Sequence, residues 1–301
     1  MNFGKRTPAA ESERIVRRAL ERGVRVFDTA NAYNDGEAER ILGRALGAVR
    51  DRVVVATKVG FRRVAGRPEG LSPASLEQAL AASLDRLGTA WVDLYYLHVP
   101  DHAVPIEQTL GAMKALVGSG RVRAWGVSNY AAWQILEMRT LASALGLAVP
   151  AASQVLYNVL HRQLDVEYVA FARRYPIHTT VFNPLAGGLL AGRHRFDDAP
   201  ARGSRFDGNA FYQRRYWSRP MFERVEQLRA VAESEGMTLV QLAYAWVASR
   251  PEVDSLLVGP ASVEHLDAAF DALERSLSPG ALARIDELSR AWAGTDTSYV
   301  R

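Results

Sequence analysis

Arg52-Val53-Val54-Val55-Ala56-Thr57, with Lys58 directly behind it, is the stretch on which the fold turns. Its β-branched run shows no polar/apolar alternation, so it reads as a strand covered on both faces, the condition of a parallel sheet between helices. Upstream, residues 11–22 read as a helix ended by Gly23, 24–29 as a strand and 37–46 as the next helix. Downstream, Ser72-Pro73 caps a helix to 87. Strands at 92–97, 122–127, 152–155 and 178–182 then alternate with helices at 105–117, 131–145 and 165–174. Residues 193–219 have no period and read as one long loop, a kind of segment that is usually functional. Helices 221–235 and 239–249, a strand at 255–258 and helices 263–273 and 279–292 complete the chain. This alternation predicts one α/β domain over 1–301, a (β/α)8 TIM barrel, although only seven strands are found. The missing strand falls before the first helix, where residues 1–6 are all that remain, so the first strand reads as truncated.

Composition narrows the function classes. The 301 residues are 48% hydrophobic and 23% charged, enough to bury a large core. The absence of cysteine excludes disulfides, thiolate metal sites and thiol nucleophiles. A net charge of +4 comes from 37 cationic against 33 acidic residues, scattered along the chain. Such scatter is not the stripe of a nucleic-acid binder. No apolar run nears the ~20 residues of a membrane span and no signal peptide opens the chain. The expectation is a soluble, cytoplasmic protein with neither nucleic acid nor membrane as partner.

In a barrel of this kind chemistry sits at the C-terminal ends of the strands. Those positions here are Asp28, Lys58, His98, Ser128-Asn129, Gln154, Asn183 and Gly259. Turn chemistry alone accounts for Asp28, Asn129 and Asn183, but not for Lys58, His98 and Gln154. Lys58 stands out because only three of the 37 cations are lysines. A lysine behind an apolar strand needs a carboxylate, and Asp28 ends the preceding strand. Tyr33, five residues on, can reach the same place, where an ammonium would tune its hydroxyl for acid catalysis. His98 and His102 have a helical metal-ligand spacing, but Pro100 lies between them, so no metal is expected. The 183–193 stretch is a glycine-bearing loop after a strand, able to admit a pyrophosphate to its backbone N–H groups.

Phe27-Asp28-Thr29-Ala30 with Tyr33, Ala56-Thr57-Lys58 and Tyr95-Tyr96-Leu97-His98 resemble the Asp/Tyr/Lys/His tetrad of the aldo-keto reductases. Gly126-Val127-Ser128-Asn129-Tyr130, Gln154 with Tyr157-Asn158, and the 183–193 loop are similar to that family's cofactor segments in the same order. Leu97-His98-Val99-Pro100-Asp101-His102, Asn183-Pro184-Leu185-Ala186-Gly187-Gly188-Leu189-Leu190 and the terminal Tyr299-Val300-Arg301 are similar to its aflatoxin aldehyde reductase branch.

The resemblance implies a (β/α)8 barrel and NADPH-dependent reduction of aldehydes, NADPH standing ahead of NADH. By it, Tyr33 is the general acid of a hydride transfer, Lys58 paired with Asp28 lowers the tyrosine pKa, and His98 orients the carbonyl. Ser128, Asn129 and Gln154 hold the carboxamide and Phe182 stacks on the ring. Asn183, Pro184, Leu185, Gly187, Gly188, Leu190, Gly192 and Arg193 form the pyrophosphate clasp, with Arg193 and Arg205 toward a 2′-phosphate. After the last strand the family's small polar run is altered: Ala261 and Ala269 carry no hydrogen-bonding side chain, leaving Ser262 and His265 to the cofactor. Tyr212, Arg215 and Arg301 match substrate positions, which implies short carboxylate-bearing aldehydes such as succinic semialdehyde. The branch also implies a homodimer.

Two other readings stand beside it. One is a nicotinamide-nucleotide-sensing regulatory subunit; the other is a barrel aldolase with Lys58 as Schiff-base lysine, which borohydride trapping would reveal. Residues 1–5 resemble the tail of the family's first strand, and the expectation is that the native start lies upstream of Met1.

Overall fold

Helix α1 (Ala9–Glu21) turns Ile15, Val16 and Ala19 inward and leads into strand β1 (Val26–Asp28). Helix α2 (Glu37–Leu46) follows, its buried stripe of Ala38, Ile41, Leu42 and Leu46 also containing a carboxylate, Glu39. Strand β2 (Val54–Val59) is buried along all but its first residue, as its unbroken apolar character requires. It begins two residues later than the sequence reading placed it, so Lys58 lies within the strand and not behind it. The computed structural model describes residues 1–294.

A hairpin not anticipated from sequence, β3 (Arg63–Val64) with β4 (Arg67–Pro68), projects after β2. Its turn residues Ala65 and Gly66 both have positive φ, and an alanine there gives no turn signal in sequence. Helix α3 (Pro73–Leu87) starts where the Ser-Pro signal put it, the Ser72 hydroxyl accepting from the Ser75 amide at 3.2 Å. Strands β5 (Val92–Leu97) and β6 (Val122–Ser128) alternate with helices α4 (Ile106–Gly118) and α5 (Ala132–Ala144), and β7 is Ala152–Leu156.

The chain divides into two compact units. The first comprises residues 1–155, 175–179 and 259–266. Its strands pair in parallel: Asp28 opposite Ala56, Lys58 opposite Tyr96, Tyr96 opposite Gly126, Ser128 opposite Gln154. With a side-chain period of two, these registers put Asp28, Lys58, Tyr96, Ser128 and Gln154 on one face. Gly126 belongs there for steric reasons, since a Cβ would come within 2.6 Å of the Ala152 carbonyl oxygen. The other face carries Val55, Thr57, Tyr95, Trp125 and Val127 against the helices, all buried.

Before α1, no strand forms among the described residues. Residues 1–7 make turns instead, with a single bridge between Phe3 and Thr7. The Asn2 side-chain amide donates to the Gly259 and Pro260 carbonyls at 2.9 and 3.1 Å, and Asn34 donates to the Phe3 carbonyl. Residues 1–7 are thus anchored through side chains rather than a strand ladder.

The second unit comprises residues 156–174, 180–258 and 267 onward. It holds α6 (Tyr168–Arg174), the end of β8 (His178–Phe182), α7 (Ala210–Tyr216), α8 (Arg219–Ser234), α9 (Leu239–Ala248), β9 (Ser255–Leu256), most of α10 (Val263–Leu273) and α11 (Pro279–Ala293). Thr180 pairs with Ser255 in parallel, and Tyr244, Ala269 and Ala272 form a small core with Leu185 and Val258. Helix α7 corrects the expectation of one long loop over 193–219. Seven residues are too few to show a helical period, and this turn is held by tertiary packing of Phe206, Tyr212, Tyr216 and Trp217. No helix among the described residues is long and apolar enough to cross a membrane.

Candidate active site

The four tetrad residues come together in the first unit. Lys58 is 0% exposed, and its ammonium donates to Asp28 and, at 2.8 Å, to the Thr29 carbonyl. Its Nζ also lies 5.1 Å from the Tyr33 ring centroid, close enough for the tyrosine to favour its charge. Burial alone would push this lysine down, but Asp28 and Tyr33 outweigh it and hold the pKa above its ordinary value. A snorkelling lysine is therefore excluded.

Tyr33 opens a single 3-10 turn whose Asn34, Asp35 and Gly36 all adopt positive φ. That kink lets the chain pass from the end of β1 into α2. His98 directly follows β5, its amide donating to the Val59 carbonyl at 2.9 Å. Its ring meets Tyr33 edge-on at 6.0 Å and Phe61 at 5.1 Å. Burial, aided by the Lys58 charge, lowers its pKa to about 3, and Nδ1 is buried without a partner among the described residues. His98 is thus a neutral imidazole, a hydrogen-bonding group rather than a cation.

This depressed pKa makes a stability prediction. Between an ordinary histidine value and about 3, the unfolded chain binds a proton that the native site refuses. The contribution is complete above the unfolded value and is lost as pH falls toward 3, by a few kcal/mol at roughly 1.4 per pKa unit. Denaturant titrations from pH 7 to 4 should show a steeper loss in the native protein than in His98→Phe. Parallel curves would refute the assignment.

Ser128, Asn129 and Gln154 sit beside the tetrad with their bonds partly committed. The Asn129 amide nitrogen donates to the His98 carbonyl and to the Ser128 hydroxyl, both at 3.0 Å. That leaves the Asn129 oxygen as its remaining hydrogen-bonding atom and the Ser128 O–H as a donor. The Gln154 amide nitrogen donates to the second Asp28 oxygen at 2.9 Å, a link between predicted cofactor and catalytic residues that no spacing could show. Two amide oxygens and one hydroxyl donor complement a primary carboxamide, so these residues fit the nicotinamide head group. The Ser262 hydroxyl accepts from the His265 amide at 3.3 Å and so caps α10.

In the second unit Asn183 organises the glycine loop. Its side-chain oxygen accepts from the Gly187 amide at 2.6 Å, and its amide nitrogen donates to the Tyr216 hydroxyl at 2.7 Å. Asn158 donates to the Asn183 carbonyl at 3.0 Å. The amides of Gly188 and Leu190 are turned inward onto Leu185, and that of Gly192 onto Leu189. The loop is therefore already folded. Gly188 (φ 103) leaves its outer side open among the described residues, none of which has an atom within 4 Å of where a Cβ would sit, so a phosphate can approach the backbone there. Phe182 ends β8, and Arg193 is exposed. Arg205 lies over the Tyr212 ring at 5.4 Å. Tyr212 itself is buried against Gly187 and Phe206, and Arg215 lies over Phe211 at 4.5 Å. Arg301 lies outside the described residues.

Sequence reasoning missed Tyr216 and Glu39. Tyr216 holds Asn183, as described. Glu39 is wholly buried, accepting from Thr57 at 2.5 Å and from Arg86 at 2.6 Å, one residue from Lys58. Its signal was a carboxylate on the apolar stripe of α2.

A profile of the aldo/keto reductase family matches residues 1–290. The chain belongs to that family, whose fold is the (β/α)8 barrel, and it is an oxidoreductase. Among its relatives are two human proteins, aflatoxin B1 aldehyde reductase member 2 and aldo-keto reductase family 7 member A3. Each is 34% identical over 97% of this chain, covering 84% and 92% of those proteins. A probable voltage-gated potassium channel subunit beta of Arabidopsis thaliana is 31% identical over 99% of this chain and 93% of its own length.

Proposed function

We propose that the whole chain, 1–301, works as one NADPH-dependent reductase domain that converts aldehydes to alcohols with Tyr33 as the acid. The observation that carries this reading is the buried Lys58 ammonium, paired with Asp28 and 5.1 Å from the Tyr33 ring centroid, beside a neutral His98. A bound reduced nicotinamide supplies the hydride that the carbonyl carbon accepts. Ser128, Asn129 and Gln154 hold its carboxamide, and the loop from Asn183 to Arg193, with Arg205, holds its phosphates. Tyr33 gives its proton to the carbonyl oxygen as charge builds there, and Lys58 meets the negative charge left on the tyrosine oxygen. The neutral His98 ring donates a hydrogen bond to the same carbonyl oxygen and so fixes its direction.

The names of the human relatives support an aldehyde as substrate. We place Arg215, with Tyr212 and Arg301, at a substrate carboxylate, which favours short acidic aldehydes such as succinic semialdehyde. Arg215→Ala should raise KM for succinic semialdehyde roughly 10–100-fold, the worth of a charge-assisted bond, with little change for an uncharged aldehyde of its size. Equal KM changes for both would remove the carboxylate assignment.

The reading as a whole is tested by NADPH oxidation against succinic semialdehyde, 4-nitrobenzaldehyde and a diketone. Similarity to the plant channel subunits favours a second reading, a nucleotide-sensing subunit. Tight NADPH binding with no turnover over the panel would select it.

A further inference from the structure

The β3–β4 hairpin is closed at its base by one side chain. The Glu69 carboxylate accepts from the Gly60 amide at 2.8 Å and from the Asn31 amide nitrogen at 2.8 and 3.0 Å. The Glu69 backbone is pinned as well, its amide donating to the Arg62 carbonyl at 2.9 Å and its carbonyl accepting from Ser75 at 2.8 Å. Both side-chain partners flank the tetrad. Gly60 is two residues past Lys58. Asn31, 1% exposed, lies between Asp28 and Tyr33, and its own amide donates to the Lys58 carbonyl at 3.2 Å. The hairpin also carries Phe61, whose ring lies 5.1 Å from that of His98 although the residue is 56% exposed.

We infer that Glu69 is a positioning residue: its carboxylate ties the Tyr33-bearing segment to the Lys58-bearing strand and keeps Phe61 against His98. The physical reason is chemical economy at a crowded junction. A carboxylate has lone pairs for several donors, so one anion can draw a backbone amide and a buried side-chain amide together. An apolar residue at 69 would leave the Asn31 amide buried without that acceptor and free Gly60 to move with the hairpin. A tetrad whose Tyr33 and Lys58 elements are not tied to one another loses the geometry that proton transfer requires.

The part of this inference that concerns turnover rests on the proposed reductase reading; the part that concerns the hairpin does not. The hairpin carries its own probe in Arg62 and Arg63, two trypsin sites at its base, whereas the Arg67–Pro68 bond resists trypsin. In the full chain without cofactor, Glu69→Ala should be cut at these arginines at least ten times faster than the native protein. With NADPH and aldehyde, its kcat should fall about 10–100-fold while NADPH affinity stays within about two-fold, as expected for a loss of positioning rather than of binding. Glu69→Gln retains one acceptor oxygen and should fall between, and it carries both measurements if the alanine variant does not fold. Native cleavage rates at the hairpin, or an unchanged kcat in folded variant, would overturn the inference. So would faster cleavage at arginines throughout the chain with unchanged kcat, the signature of a merely structural residue. Loss of the reductase reading, seen as no aldehyde turnover by the native protein, would leave the trypsin result to decide the hairpin role by itself.

Discussion

Tyr33→Phe lowers kcat by roughly 10²–10⁴-fold, the usual worth of a positioned general acid, and leaves NADPH affinity and thermal stability nearly unchanged. The substitution removes one oxygen from a ring whose remaining contacts persist, the edge-on approach to His98 at 6.0 Å among them. What is lost is the hydroxyl of the ring beside the Lys58 ammonium, and with it the proton for the carbonyl oxygen. His98 does not replace it. With a pKa near 3 its ring carries no second proton at neutral pH, and giving up its single N–H would create an imidazolate. Single-turnover rates with saturating NADPH separate this step from binding. An unchanged rate would sink the acid assignment to Tyr33.

Asp28→Asn has the largest expected effect on stability, about 3–5 kcal/mol, because it leaves a buried charge without its counter-charge. Lys58 is fully enclosed, so water cannot solvate the abandoned ammonium, and only neutral acceptors such as the Thr29 carbonyl and the asparagine carbonyl remain, none of which supplies a counter-charge. The pH dependence follows from the sign of the lysine shift. Burial works against the ammonium, but Asp28 and Tyr33 raise its pKa above the ordinary lysine value, so the folded protein holds the proton more tightly than the unfolded chain. The stabilisation is complete below the ordinary value and is lost as pH rises through the higher folded one. Native protein should therefore lose stability in strong alkali, a loss the variant lacks because its pair is already broken. Chemical denaturation at pH 8 gives the first number. Turnover falls as well, since the Tyr33 oxygen then faces a lysine without its anchor. The double variant Asp28→Asn/Lys58→Met should recover most of the stability and none of the activity. A single variant within about 1 kcal/mol of the native protein would mean that the pair is not buried as described.

Much of this site was legible because strand ends announce themselves. Asp28, Lys58 and His98 each follow an apolar run, and a lysine in a chain that otherwise uses arginine is conspicuous. The helix start at Ser72-Pro73 was equally plain, since capping is chemistry between neighbours three residues apart. Other parts were silent. Nothing near Gln154 indicates that its amide reaches Asp28, 126 residues away in sequence. Helix α7 was hidden because seven residues cannot display a period, and the β3–β4 turn because Ala65 is not a residue of positive φ by preference. Residues 1–5 read as the tail of a strand, yet Asn2 and Thr7 hold that segment through side chains rather than a ladder.

The sequence by itself determined the alternation of strand and helix, the parallel order that follows from it, and which side chains stand at the strand ends. These are local properties, set by period, propensity and caps within a dozen residues. Only the tertiary structure decided which of those side chains bond to one another. It buried Lys58 inside β2, left His98 neutral, turned Gln154 onto Asp28 and put the Glu69 carboxylate between Asn31 and Gly60. The reason is that charge states and hydrogen-bond partners depend on distance and on exclusion of water. Both are set by segments far apart in the chain, after they pack.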